Sequence, residues 1–189
     1  MTTSSPRVVA VVGSPHPGGN TSYLVDVALT ELESRGVAGE KIVLSEHVVL
    51  PCAGHDDCGE RAACPLGDEA CDILERVYAA DGLILASPVY YEDVSGQMKV
   101  FIDRNCFNST HGVWLRARSV GLIAVAESTG LDETLDALRR YVALSSIDRI
   151  EPLTASGFAF KAGDAARNQG LVESVRALAR SMAGELLRA

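Results

Sequence analysis

Residues 7–22 read RVVAVVGSPHPGGNTS, and this stretch decides the fold of the 189-residue chain. The apolar, largely β-branched run at 7–12 predicts a strand buried on both faces, and Gly13 predicts a sharp turn at its end. From residue 21 to residue 35 apolar residues recur at helical spacing, and the following Gly36 is typical of a helix C-terminus. The stretch therefore predicts a strand, a short polar loop and a helix, in that order.

The same alternation of strand and helix continues along the rest of the chain. Four more apolar runs predict strands at residues 40–44, 82–86, 120–126 and 150–160, and the first of these can extend towards Leu50. Periodic segments predict helices at residues 68–80, 96–107, 131–144 and 168–187. Strands without polar alternation are typical of a parallel sheet covered on both faces. We therefore expect one α/β domain over residues 1–189, a three-layer, doubly wound sandwich with a five-stranded parallel sheet.

The charge balance excludes several classes of partner. Twenty-five acidic residues against 17 basic ones give a formal net charge of -8, which argues against a nucleic-acid binder or a polybasic membrane patch. No apolar run approaches the roughly 20 residues that span a bilayer. Residues 1–6 are polar and lack the apolar core of a leader. We therefore expect a cytoplasmic protein, in which the five cysteines are reduced thiols or metal ligands.

The loop at residues 14–22 suits a phosphate. It is neither a P-loop nor a dinucleotide fingerprint, because it lacks both Gly-Lys-Ser/Thr and Gly-x-Gly-x-x-Gly. It nevertheless leads into a helix N-terminus, where free N–H groups and the helix dipole favour an anion. Short polar side chains add neutral donors suited to the 5′-phosphate of flavin mononucleotide (FMN): Ser14, Asn20, Thr21 and Ser22. The alternative is an ordinary helix cap, formed by Asn20 or Thr21.

Two later loops follow predicted strands and should reach the same edge of the sheet. The first, SPVYYED at residues 87–93, offers apolar walls, aromatic faces and backbone donors to a flat tricyclic ring. Its candidate residues are Pro88, Val89, Tyr90 and Tyr91, with simple packing as the alternative for Tyr91. The second loop spans residues 127–130 and contains Ser128 and Thr129.

Two motifs, GSPHPGGNTS at 13–22 and ASPVYYEDVSGQMKVFIDR at 86–104, resemble those of the NADPH-dependent FMN reductases and iron–sulfur flavoproteins of the flavodoxin superfamily. The resemblance implies a flavodoxin-like fold, a phosphate site at the four polar residues of the first loop, and a ring site at Pro88, Val89 and Tyr90, with Ser128 and Thr129 close to the ring or ribityl chain. His16 stands where the family usually has arginine, and it remains a candidate phosphate ligand. The matching Lys99, Asp103 and Arg104 are expected to be structural or interfacial.

A cysteine-rich loop insertion is expected at about residues 51–67. Its pattern is Cys52-x2-His55-x2-Cys58-x5-Cys64, in which histidine replaces the second cysteine of the iron–sulfur flavoproteins. Three readings stay open: a four-iron cluster completed by His55 or Cys71, a zinc site, or reduced thiols without metal. We expect the last, with the metal ligands, if there are any, being Cys52, His55, Cys58 and Cys64. Cys106 lies on an apolar helical face and is predicted to be core.

The expected chemistry is that of a flavoenzyme, since a flavin carries its own reactivity and needs no catalytic triad. The resemblance implies hydride transfer from NADPH or NADH to FMN and on to a small acceptor, a quinone, a free flavin, a nitro compound or a metal ion. Tyr90 or Tyr91 could donate a proton to that acceptor. The alternative functions are a flavodoxin-like electron carrier and an iron–sulfur flavoprotein passing single electrons. A homodimer is expected, with its interface near Phe101, Phe107 and Trp114.

Overall fold

Five parallel strands form the central sheet of the computed structural model, which describes residues 5–188. They are β1 (Arg7–Val12), β2 (Ala38–Val43), β3 (Gly82–Tyr90), β5 (Ser119–Ala126) and β6 (Leu153–Phe158), and a short strand, β4 (Asp93–Val94), pairs antiparallel with β3. The order across the sheet is β2-β1-β3-β5-β6, which is the flavodoxin-like doubly wound order. The predicted fold class is confirmed. Residues 1–4, part of the stretch in which no leader is expected, lie outside the described residues.

Seven α-helices in residues 5–188 flank the sheet: α1 (Asn20–Glu33), α2 (Ala70–Tyr78), α3 (Gly96–Arg104), α4 (Cys106–Thr110), α5 (Leu131–Ser145), α6 (Asp164–Arg167) and α7 (Gln169–Leu187). Helices α1 and α7 pack with Val8 and Ala10 of β1 on one face. Helices α2, α3 and α5 pack with Val9 and Val11 on the other. Because successive side chains of a strand point to opposite faces, one apolar strand serves both layers of core.

The four parallel strands after β1 all differ from their predicted bounds: β2 begins two residues earlier and ends one residue earlier, β5 begins one residue earlier, and β6 is shorter at both ends. Two of the differences bear on the site. The second strand does not run on towards Leu50, because the chain turns into a short 3-10 segment, Leu44–Glu46, directly after β2. The third strand is longer than predicted and continues through Pro88 to Tyr90, where it turns back into β4. This extension places Val89 and Tyr90 on a paired strand rather than in a free loop.

The prediction that Cys106 belongs to the core is wrong, because Cys106 is exposed. The predicted helix at 96–107 divides at Asn105, whose amide nitrogen donates to the carbonyl oxygens of Phe101 (2.7 Å) and Ile102 (3.2 Å). The chain continues as α4 from Cys106, and the apolar side of α3 that buries Met98 and Phe101 does not extend to Cys106. Phe101, by contrast, is fully buried.

Residues 51–67 contain no regular element except the 3-10 turn Cys58–Glu60, and they form the expected irregular segment between β2 and α2. We refer to residues 51–67 as the cysteine segment. Within residues 5–188, no helix is both long and apolar enough to cross a bilayer.

Candidate functional site

Two loops at the carboxyl edge of the sheet are joined by one serine. The Ser95 hydroxyl donates to the carbonyl of Gly13 after β1 and accepts from the N–H of Met98, which caps α3. The N–H of Ser95 in turn donates to the Ser87 hydroxyl over 3.0 Å. A Cβ on Gly13 would lie 2.7 Å from the Met98 Cβ, so only glycine allows this approach. The loops after β1 and β3 therefore hold one another in a fixed relative position.

The loop after β1 forms a polar cradle at the start of α1. The Ser14 hydroxyl accepts from the N–H of His16 at 3.1 Å, and the N–H of Gly19 donates to the His16 carbonyl at 3.0 Å. A Cβ on Gly19 would meet that carbonyl oxygen at 3.1 Å, so glycine allows the turn to close. Gly19 is the N-cap of α1 and supplies no capping side chain.

The cradle keeps backbone donors free for a ligand. Within residues 5–188, the N–H groups of Gly18, Asn20, Thr21 and Ser22 have no hydrogen-bond partner. Unpaired N–H groups at a helix N-terminus, together with the helix dipole, are the chemistry that binds a phosphate. The donor set therefore fits the phosphate of FMN.

Three of the predicted phosphate ligands, Ser14, Asn20 and Ser22, have protein partners for their side chains. The Ser14 hydroxyl, besides accepting from the N–H of His16, donates to the carbonyl of His16 at 3.2 Å. The Asn20 amide donates to the carbonyl of Lys161 (2.9 Å) and accepts from the N–H groups of Gly163 (3.1 Å) and Ala165 (3.2 Å). The Ser22 hydroxyl accepts from Lys41 at 3.3 Å. Asn20 and Ser22 can still offer backbone N–H groups to an anion.

The predicted ring residues line an open cleft of about 380 Å³ beside β3 and β5. Its walls come from the β3–β4 turn, the loop after β5 and the residue after β6: Val89, Tyr90, Tyr91, Glu92, Val125, Ala126, Glu127, Ser128, Thr129 and Ala159. Pro88 is not part of this lining and lies one residue before it, opposite Val125. The Tyr91 side chain is fully exposed, and Tyr90 is about half exposed. The structure thus brings five of the predicted ring residues together.

The cleft contains a strained turn. Tyr91 (φ 54°) and Glu92 (φ 60°) have left-handed backbones, as the central residues of a two-residue type I′ hairpin require, although neither is the usual glycine or asparagine. Gly130 (φ 83°) packs against this turn so closely that a Cβ would lie 2.6 Å from Val89 Cγ1 and 2.8 Å from Glu92 Cα. Such strain persists only where the surroundings enforce it, and it concentrates at functional sites.

A buried ion pair holds both ends of the cysteine segment. The Arg104 guanidinium bonds to the Asp68 carboxylate and to the carbonyl of Leu50 (3.0 Å), and the Asp68 carboxylate accepts from the N–H of Leu50 (2.7 Å). The two side chains are 3% and 2% exposed. Burial alone would raise the pKa of Asp68, but hydrogen bonds from Arg104, Leu50 and Ala70 outweigh it and lower that pKa. Arg104 therefore has a structural role, which is one of the two roles expected for it from the sequence.

The cysteines do not form a ligand set. Cys52 and Cys106 are exposed, Cys58, Cys64 and Cys71 are half-buried, and all five are unpaired. Within residues 5–188, no three histidine, cysteine or acidic side chains converge so as to hold a metal ion. The Cys64 sulfur instead accepts from Arg104 Nη2 at 3.3 Å. Burial raises the pKa of the Cys58 thiol, and the neighbouring Cys106, Cys52 and Cys64 raise it further.

Sequence reasoning missed the residues that position these loops. Ser95 had a local signal, since serine three residues before Met98 is a typical N-cap placement. The Arg104–Asp68 pair and the contact between Asn20 and Lys161 join residues 36 and 141 positions apart, and no local pattern indicates such pairs.

The strand order, the polar cradle after β1 and the aromatic cleft define a flavodoxin-like α/β protein. The chain belongs to the NADPH-dependent FMN reductase family, whose model matches residues 6–157. It is accordingly an oxidoreductase that uses FMN and NAD(P)H.

Individual relatives agree with this assignment. The chain is 36% identical over 143 residues to an iron-sulfur flavoprotein of Methanocaldococcus jannaschii, covering 75% of this chain and 74% of that protein. Among solved structures, RosB with a bound 8-demethyl-8-formylriboflavin-5′-phosphate intermediate matches with a TM-score of 0.78 at 15% identity, over 98% of this chain and 81% of RosB. An NAD(P)H:quinone oxidoreductase from Methanothermobacter marburgensis has a TM-score of 0.73 at 14% identity, over 94% and 97%. At sequence identities of 15% and 14%, these two structures support the fold alone.

Proposed function

We propose that the protein reduces a small organic acceptor with electrons from NAD(P)H, and that FMN binds along the carboxyl edge of the sheet. The observation that carries the proposal is the meeting of an anion-accepting cradle and an aromatic cleft at that one edge. The phosphate would lie at residues 13–22, held by the backbone N–H groups there, by the Ser14 hydroxyl and by His16 at the rim. The ring would lie in the cleft between Val89–Glu92 and residues 125–129.

When bound, FMN supplies the acceptance and donation of hydride, and the protein supplies binding and orientation. The free N–H groups at the start of α1 hold the phosphate end. Val89 and Val125 would offer apolar contacts to a flat ring, and Ser128 and Thr129 would offer hydroxyls. Because Tyr90 and Tyr91 stay partly or fully exposed at the mouth, their hydroxyls are free to donate a proton to an acceptor.

The exposed tyrosines favour a planar conjugated acceptor such as a quinone, a nitroaromatic compound or a free flavin. Aromatic rings stack on flat ligands with offset or edge-to-face geometry, and Tyr90 and Tyr91 present such rings at the cleft. The structural neighbour from Methanothermobacter marburgensis is named as a quinone oxidoreductase, which makes a quinone the first acceptor to test.

The second candidate function is single-electron transfer by an iron–sulfur flavoprotein, which the name of the Methanocaldococcus jannaschii relative favours. The presence of His55 where the iron–sulfur flavoproteins have their second cysteine favours the metal-free alternative. We therefore propose that this segment borders the substrate entrance without a metal, fastened by Arg104 and Asp68.

An anaerobic titration tests the function. The FMN-loaded protein is mixed with NADPH or NADH, the flavin absorbance near 450 nm is followed, and benzoquinone is then added. Stoichiometric bleaching by the nicotinamide and full recovery with the quinone are expected. A flavin that resists both nicotinamides but is bleached by a one-electron reductant such as reduced methyl viologen, the radical cation, would instead identify an electron carrier.

We further propose that the chain is one FMN-binding domain, a homodimer and a cytoplasmic protein. Unpaired cysteines suit a reducing compartment. Part of the expected interface is corrected by the structure: Phe101 is 1% exposed and belongs to the core, so it cannot anchor a partner. Trp114, Val113 and Leu144 remain exposed around two apolar clefts of about 400 Å³ each, which suits an interface between copies.

A further inference from the structure

The segment after β6 is held against the start of α1. Asn20 makes the three hydrogen bonds described above to Lys161, Gly163 and Ala165. The Asp164 carboxylate accepts from the N–H groups of Phe160 (3.1 Å) and Lys161 (2.7 Å) and so closes the turn on itself. The backbone of Lys161 is therefore fixed beside the N-terminus of α1, although 141 residues separate it from Asn20.

The ammonium group of Lys161 forms no ion pair within residues 5–188. The chain has three lysines, of which Lys41 pairs with Asp26 and Lys99 pairs with Asp103. Within residues 5–188, Lys161 has no carboxylate oxygen within 4.0 Å of its ammonium. The nearby Asp164 pairs with Arg167 at 2.5 Å. Lys161 is exposed, so its flexible stem can move its ammonium over the cradle.

The cradle itself lacks a permanent cation. Residues 13–22 contain no lysine or arginine, and the imidazole of His16 is charged only when protonated. A phosphate monoester carries roughly -1.5 to -2 charge near pH 7, and neutral N–H groups leave much of that charge uncompensated.

We propose that Lys161 is a cofactor-binding residue that supplies the cation for the FMN phosphate. The inference rests on the proposed phosphate site at residues 13–22 and adds a ligand from the opposite end of the chain. Asn20 couples the two parts, because its side-chain amide holds the Lys161 backbone and its unpaired backbone N–H is available to the phosphate. The sequence carries no local signal for this residue, because the contact arises only when α1 and the segment after β6 meet.

The test compares FMN with riboflavin, which has the same ring and ribityl chain but no phosphate. Apoprotein is titrated with each flavin and binding is followed by quenching of flavin fluorescence. Lys161→Ala should raise the Kd for FMN about five- to tenfold, as expected for one exposed charge-assisted contact, and leave the Kd for riboflavin unchanged. Raising the salt concentration should weaken FMN binding less in the variant than in the wild type.

Two further variants test whether the effect depends on the positive charge and on its position at residue 161. Lys161→Arg keeps the cation and should restore most of the FMN affinity. Arg139→Ala removes one exposed positive charge from α5, where Arg139 pairs with Asp136, and should leave both flavins unaffected. Equal loss of FMN and riboflavin binding in Lys161→Ala, or no loss of either, would overturn the inference. Failure of the phosphate site itself is distinguishable, since the wild type would then bind riboflavin as tightly as FMN.

Discussion

Breaking the Arg104–Asp68 pair should destabilise the fold far more than breaking an exposed pair. In Arg104→Ala the Asp68 carboxylate, 2% exposed, loses its counter-ion, and the Leu50 carbonyl and Cys64 sulfur lose a donor. Removing one partner of a buried pair costs about 3–5 kcal/mol in the free energy of unfolding. Lys99→Ala is the matched control, because the Lys99–Asp103 pair is 58% and 45% exposed and should contribute less than about 1 kcal/mol.

The assay is urea unfolding of both variants and the wild type, with Asp68→Asn measured as a function of pH. Because hydrogen bonds lower the pKa of folded Asp68, its stabilisation is fully present above its unfolded pKa and is lost as pH falls through the folded one. The difference between wild type and Asp68→Asn should therefore shrink below about pH 4. Limited proteolysis should also cleave Arg104→Ala within the cysteine segment. Equal stability of Arg104→Ala and Lys99→Ala, or a pH-independent Asp68→Asn difference, would refute this reasoning.

Three other outcomes are expected. Gly130→Ala should weaken FMN binding, because its Cβ would displace the β3–β4 turn. The control is Gly112→Ala, which also has a positive φ (63°) but no atom near its Cβ, and which should lower only the stability of the fold. Equal FMN affinity in the two variants would contradict the packing argument. Replacing Cys52, Cys58 and Cys64 together with serine should leave the flavin content near normal. Stoichiometric iron or zinc in the anaerobically purified wild type, together with loss of both the metal and the fold in the triple variant, would contradict this expectation. Light scattering should give a dimer mass that Trp114→Asp lowers to a monomer; a monomeric wild type would reject the interface.

The positions of β1, β3 and β5 were predictable from sequence because each of these strands is largely an apolar run, whereas β2 and β6 also contain polar residues and glycine. Residues 7–12 are all assigned to β1, and five of these six residues are fully buried. The break at Asn105 was not predictable, since it depends on one amide competing for helical carbonyls. Cys106 was misplaced for that reason alone.

The candidate site was predictable as a set of loops but not as a set of bonds. Loop positions follow from strand ends, so the cradle and the cleft were expected at one edge. The partners of Asn20 lie at 161–165, and those of Arg104 lie at Leu50, Cys64 and Asp68, all distant in sequence. Such contacts exist only after the layers pack, and no motif or periodicity encodes them.

The most direct test of the central claim, that residues 13–22 hold the FMN phosphate, is FMN binding by two variants of Gly18. A Cβ at Gly18 meets no atom within 4 Å, so Gly18→Ala and Gly18→Asp are both sterically accommodated and differ by one carboxylate. Repulsion between that carboxylate and the phosphate should raise the Kd for FMN by about tenfold or more in Gly18→Asp. Gly18→Ala should bind FMN like the wild type. Equal FMN affinities in the two variants would contradict the account and place the phosphate elsewhere.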